Sequence, residues 1–350
     1  MKIKQRLEDF IVEEVLKAEK GKEGRCSLYI LKKRKISTLS CLKIISDKLK
    51  IPLADFGYCG LKDKQGITIQ HISLPEVKKA ALKEKNFSFE YFRKISSPLQ
   101  RGGCLGNNFI IRVYDIDREK LIKNIEEVNK RGFVNYYDIQ RTGHLLPEKS
   151  FGCYALKKDY KNAVLRYYIH HSRFAGGSRK KEFKKLFNNW PQTPEKLDLP
   201  WNIIGPLKRL REKPGDYKGA ILQIPKPEKE LLISGFQAMI WNRIVKKYIE
   251  KTKNAHKLDS YIPLPTERGY SDKGIEKIYR QVIRGFDKED FKNAQEIGVK
   301  LNYGKRKIIV VPKNLRIKFE GSSAVLSFFL PSGSYATMLI KTIAGGVRIK

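Results

Sequence analysis

Apolar residues alternate or run together in six short stretches: Phe10 to Val15, Ser27 to Leu31, Ile67 to Leu74, Phe109 to Tyr114, Ile308 to Val311 and Ala324 to Leu330. That pattern predicts β-strands. Between them, Leu39, Leu42, Ile45 and Leu49 recur at helical spacing behind Ser37 and Thr38, either of which can cap a helix N-terminus. A second helix is expected over Arg118 to Lys130.

From about Phe151 the pattern changes. Asp159 to His170, Arg179 to Trp190 and Glu228 to Ile249 all read as helices, separated by proline-containing stretches. In the longest of them Leu231, Ala238, Trp241, Val245 and Tyr248 fall along one side, which is expected to be core. Strands return after about Val299. A strand-rich beginning and end around a helical middle predict an α+β domain interrupted by a helix-rich insertion. No internal repeat is visible.

Composition narrows the partners. Among 350 residues, 72 Lys and Arg face 37 Asp and Glu, a formal net charge of +35 that repels itself unless a polyanion neutralises it. Nucleic acid is the natural partner. No run of 18 apolar residues and no signal-peptide core is present, so membrane insertion and export are not expected, and a cytoplasmic location is. Cys26, Cys41, Cys59, Cys104 and Cys153 are far apart in sequence with no CxxC pair, and the five histidines form no metal-binding motif, so no metal is expected. Adjacent His170 and His171 point in different directions from a helix and read as solvated or core histidines.

The most informative segment is Gly60-Leu61-Lys62-Asp63-Lys64-Gln65-Gly66, a polar loop bounded by glycines that leads into a strand. Such a loop can present a single carboxylate, and the neighbouring Lys62 and Lys64 favour its charged form. By itself the pentapeptide is also an ordinary charged turn. Followed by Thr68 and Gln70, however, it resembles the catalytic loop of the TruD family of transfer-RNA pseudouridine synthases. The resemblance runs along the chain. Lys4, Glu8-Asp9-Phe10 and Glu14 are similar to the family's opening segment, and Gly106-Asn107-Asn108-Phe109 to its Gly-Asn-x-Phe strand. Asn135-Tyr136 with Gln140-Arg141 and Gly143, Gln237 and Asn242 in the long helix, Gly304-Lys305-Arg306 with Pro312, and Phe329 to Thr337 resemble later family segments in the right order. Tyr137-Asp138 and Thr142 depart from the pattern, and a carboxylate at Asp138 could repel phosphate.

What the resemblance implies is concrete. The fold would be α+β: a pseudouridine synthase catalytic domain with a central mixed, mostly antiparallel sheet, formed by residues 1–150 and 310–350 and interrupted by a helix-rich α/β insertion domain at 151–309. Asp63 would be the catalytic aspartate, with Lys4 as its paired cation and Glu14 either orienting Lys4 or serving structure. Phe109 would lie against the flipped uracil and Asn107 near the aspartate or the nucleotide, since alternate strand residues share a face. Lys62, Lys64, Gln140 and Arg141 are the RNA-binding candidates, the last two either touching phosphate or bracing the loop; Tyr335 and Thr337 read as structural. The family's usual target is uridine 13 in the D arm of transfer RNA, and it needs no cofactor; a monomer with no obligate protein partner is expected. Two alternatives stay open: a synthase acting on other or several uridines, and a non-catalytic transfer-RNA-binding protein.

Overall fold

The computed structural model describes all residues except 18–24, 76–79, 139–145, 174, 193, 195–196, 200, 253–259 and 347–350. The chain forms two compact units, one of Met1–Asn135 with Ile309–Ile349 and one spanning Tyr136–Ile308. The described residues of the segment 136–150, expected to lie with the first unit, belong to the second.

In chain order the first unit contains β1 (Lys2–Ile3), β2 (Phe10–Leu16), β3 (Cys26–Arg34), α1 (Thr38–Leu49), β4 (Gly57–Tyr58), β5 (Ile67–Pro75), β6 (Ala81–Glu84), β7 (Phe87–Ile95), β8 (Cys104–Tyr114), α2 (Arg118–Arg131) and β9 (Phe133–Val134). The second contains α3 (Phe151–Leu156), α4 (Tyr160–Ser172), α5 (Ser178–Asn189), α6 (Trp201–Glu212), α7 (Tyr217–Leu222), α8 (Lys226–Lys251), β10 (Tyr261–Pro263), α9 (Lys273–Val282), a 3-10 segment (Lys288–Ile297) and β11 (Lys305–Lys307). The first unit resumes with β12 (Ile309–Val310), β13 (Lys313–Glu320), β14 (Ser323–Pro331) and α10 (Ala336–Ile343). Its chain leaves after β9 and returns at β12, and these two strands pair antiparallel, so the insertion starts and ends at one place.

The central sheet runs β13-β14-β8-β2-β5-β3-β7-β6, with β1 added to β8 and β4 to β5. It is mixed and mostly antiparallel; among the described residues only β2 and β5 pair in parallel. Side chains alternate across such a sheet, and on one face Tyr29, Leu31, Ile72 and Phe89 pack against Cys41, Leu42 and Ile45 of α1. Ser37 caps α1, accepting a hydrogen bond from Ser40 N at 3.0 Å.

Glycine is required where backbones approach closely. A Cβ on Gly106 in β8 would lie 2.1 Å from the Leu330 carbonyl of β14, and one on Gly66 would lie 2.6 Å from the Phe10 carbonyl. Gly66 also has φ +139°, a conformation that L side chains rarely adopt. It ends the Asp63 turn where that turn passes β2.

In the second unit, Ala238, Trp241 and Val245 of α8 are fully buried as expected, but Leu231 is exposed and Tyr248 only partly buried. The anticipated stripe thus covers the middle of the helix and not its ends. Among the described residues, no helix is long and apolar enough to cross a membrane.

Candidate active site

Asp63 sits on the turn between β4 and β5, its side chain 39% exposed, and its Oδ2 lies 2.9 Å from Lys4 Nζ. Lys4 has φ 57°, in the left-handed region that non-glycine residues seldom occupy. This breaks the chain between β1 and β2 and turns the side chain inward, with its Nζ 3.8 Å from the Phe10 ring centre. Asp9 secures the bend, its Oδ2 accepting from Arg6 N at 2.7 Å and its Oδ1 from the Tyr114 hydroxyl at 2.9 Å. The Glu-Asp-Phe segment is therefore the support on which Lys4 meets Asp63.

Behind the turn lies a buried polar network. Lys62 Nζ is 2.6 Å from Glu14 Oε1 and donates to Asn107 Oδ1 at 2.9 Å. Glu14, fully buried, also accepts from His71 N at 3.0 Å. Burial alone would push the Glu14 carboxyl up; hydrogen bonds from His71 and the Lys62 ammonium outweigh it and hold the group below its ordinary value of 4.5. Glu14 thus neither faces water nor touches Lys4: its partner is Lys62. Nor does Lys62 reach outward for phosphate, because its ammonium is engaged inside. Lys64 is exposed. Asn107 is held by Lys62 and is not bonded to Asp63.

Phe109 is 7% exposed. Its ring stacks on Phe328, directly across in β14, at 5.2 Å between centres, and meets Phe10 edge-on at 6.3 Å. Gln140, Arg141 and Thr142 lie outside the described residues. The hydroxyls of Ser334 and Thr337 are buried. Asp138 is 4% exposed, so it cannot present its carboxylate to phosphate as anticipated. Tyr137 packs edge-on against Trp241 and beneath the Arg306 guanidinium, and Asn242 bonds both its N–H and its carbonyl at 2.9 Å. Gln237 donates to the carbonyls of Pro265 and Asn302. The second unit's motif residues thus hold its interior together.

Three features were not anticipated from the sequence. Cys59 and Cys104 form a disulfide that ties the segment before the turn to β8. Their sulfurs and a Glu14 oxygen cluster within 4.8 Å, but the sulfurs are joined to each other and the carboxylate is engaged by Lys62 and His71. The third is Lys33, whose Nζ donates to the Asp63 carbonyl at 2.7 Å. Alternation along β3 would have flagged Lys33 had the strand been extended past Leu31.

The fold is one already seen in a crystal structure. The structure matches that of the "Putative tRNA pseudouridine synthase D (TruD)" of Methanosarcina mazei with a TM-score of 0.72 at 23% identity, over 97% of this chain and 92% of that one. The family profile described as tRNA pseudouridine synthase D (TruD) matches residues 1–263. "Probable tRNA pseudouridine synthase D 2" of Methanocaldococcus jannaschii is 32% identical over 400 aligned residues covering 100% of this chain and 93% of the relative. "tRNA pseudouridine synthase D" of Aquifex aeolicus is 26% identical, covering 98% of each. The chain belongs to the TruD family, whose members are pseudouridine synthases, enzymes that isomerise uridine to pseudouridine.

Proposed function

We propose that this protein converts uridine 13 in the D arm of transfer RNA to pseudouridine, with Asp63 as the catalytic aspartate. The observation that carries this reading is the pairing of the turn-borne Asp63 carboxylate with Lys4 at 2.9 Å, beside Phe10 and Phe109. The isomerisation breaks the bond between N1 and C1′, rotates the uracil and joins C5 to C1′. The proton lost from C5 is matched by the one gained at N1, and no electrons are transferred. A carboxylate can serve by attacking C1′, by attacking the ring or by removing the 2′ proton. Each route needs it close to the ribose and held in one place, and the Lys4 ammonium at 2.9 Å is the contact that holds it.

The target base must leave its stack first, at a cost of a few kcal/mol that contacts in the pocket return. Phe109 is the stacking candidate, and the Phe328 ring behind it keeps its plane in place. On this reading the first unit is the catalytic domain and the second adds RNA affinity through its basic surface. The enzyme works as a monomer in the cytoplasm, without a protein partner. Of the departures from the family pattern, Asp138 is buried and Tyr137 packs against Trp241, so neither is an exposed carboxylate that would repel phosphate.

Carbodiimide mapping of transfer RNA after incubation with the purified protein tests the proposal. A single new pseudouridine stop at position 13, absent with Asp63→Asn, is expected. Stops only at other uridines would overturn the position, and unmodified RNA that still binds would favour the non-catalytic alternative.

A further inference from the structure

We propose that Lys33 is a positioning residue of the reaction: it grips the backbone of the Asp63 turn from inside the protein, so that the carboxylate is offered in one orientation. The inference rests on Asp63 being the catalytic carboxylate.

Lys33 lies in β3 on the same face as Tyr29 and Leu31, where the alternating pattern calls for an apolar residue. It is 1% exposed. An ammonium has three donors, and here all three are used, on the carbonyls of Ile36 at 3.1 Å, Lys62 at 3.3 Å and Asp63 at 2.7 Å. Two of those acceptors are consecutive peptides of the catalytic turn. The Lys62 N–H in turn donates to Thr38 Oγ1 at 3.2 Å, and the buried Thr38 hydroxyl donates to Gln70 Oε1 at 2.8 Å. The turn is therefore gripped at its backbone by Lys33 and Thr38, while Lys4 holds the carboxylate.

A buried ammonium is costly, and burial pushes the Lys33 amine below its ordinary value of 10.5. Among the described residues no carboxylate is paired with it, so an ion pair does not account for its place in the core. Packing alone would be better served by an apolar side chain. What an apolar residue cannot do is bond two adjacent carbonyls at once. Holding a reacting group within a fraction of an ångström matters because small displacements cost about 10²-fold in rate.

The test compares Lys33→Met, Lys33→Gln and Asp63→Asn in single-turnover and steady-state assays of pseudouridine formation on transfer RNA, with circular dichroism to check folding. Both Lys33 variants are expected to fold, to keep KM for RNA within about twofold and to lose about 10²-fold in kcat. Normal kcat in a folded Lys33 variant, or a raised KM with unchanged kcat, would overturn the role. Loss of the fold in both variants would also overturn it, because Lys33 would then hold the sheet and not the turn. Activity in Asp63→Asn would bring down both this role and the catalytic reading, whereas an inactive Asp63→Asn beside a normal Lys33→Met would remove only the role of Lys33.

Discussion

The two units use lysine in opposite ways. In the first, Lys4, Lys33 and Lys62 are turned inward and bonded to a carboxylate, to carbonyls, and to a carboxylate and an amide around one turn. In the second, α5 carries Arg179, Lys180, Lys181, Lys184 and Lys185 exposed on a helix whose other side buries Phe183 and Leu186. Its single acid, Glu182, pairs with Lys185. A charge that is bonded and desolvated fixes geometry; a charge left in water adds long-range attraction to a polyanion and little geometry. Net charge therefore says little about the Asp63 turn, because Lys4, Lys33 and Lys62 around it are largely removed from solvent.

That contrast can be broken at several points. The largest effect is expected for Asp63→Asn, which should cut turnover by at least about 10³-fold while RNA affinity measured by filter binding stays unchanged. Comparable loss of affinity would mean that Asp63 belongs to the binding surface. Next, Lys62→Met leaves the Glu14 carboxylate buried without its cation, and should destabilise the fold by about 3 to 5 kcal/mol in urea titrations. A neutral result would assign Lys62 to the solvent-facing class of cations.

Glu14 adds a pH signature to the same network. Because its folded-state value is lowered, its contribution to stability is complete above its ordinary value of 4.5 and is lost as pH falls through the lowered value. Glu14→Gln should flatten that acid limb in melting temperatures recorded against pH. An unchanged limb would place the acid sensitivity elsewhere.

On the other side of the comparison, replacing Lys180, Lys181 and Lys184 together by Gln should reduce the salt dependence of RNA binding by roughly 2 to 3 in log–log slope, with kcat at saturating RNA preserved. The same slope as wild type would show that α5 does not face the RNA. The smallest effect is expected for Ser37→Ala, which removes the α1 cap and should cost about 1 kcal/mol of stability with normal turnover. Lost turnover there would show that the cap and the Asp63 turn are one mechanical unit.

Much of the architecture was legible because it depends on periodicity. The expected Phe10 to Val15 strand is β2, the helix behind Ser37 is α1, and Glu228 to Ile249 lies within α8. β7 and β13 escaped because Glu90, Arg93, Lys94, Arg316 and Lys318 break up their apolar pattern. The apolar pattern of β3 stops at Leu31 for a related reason: a run of basic residues reads as solvated, yet in Lys32-Lys33-Arg34 only the middle residue is buried.

Taken by itself, the chain of residues determined the family, the strand-rich ends around a helical middle, and the glycine-bounded turn that bears Asp63, because motif order and hydrophobic period are local properties. Only the tertiary structure decided what each cation does. Lys4 meets Asp63 across 59 positions, Lys62 reaches Asn107 across 45, and Cys59 bonds Cys104 across the same separation. Such pairings follow from which strands lie side by side, and strand order is set by the packing of the whole sheet.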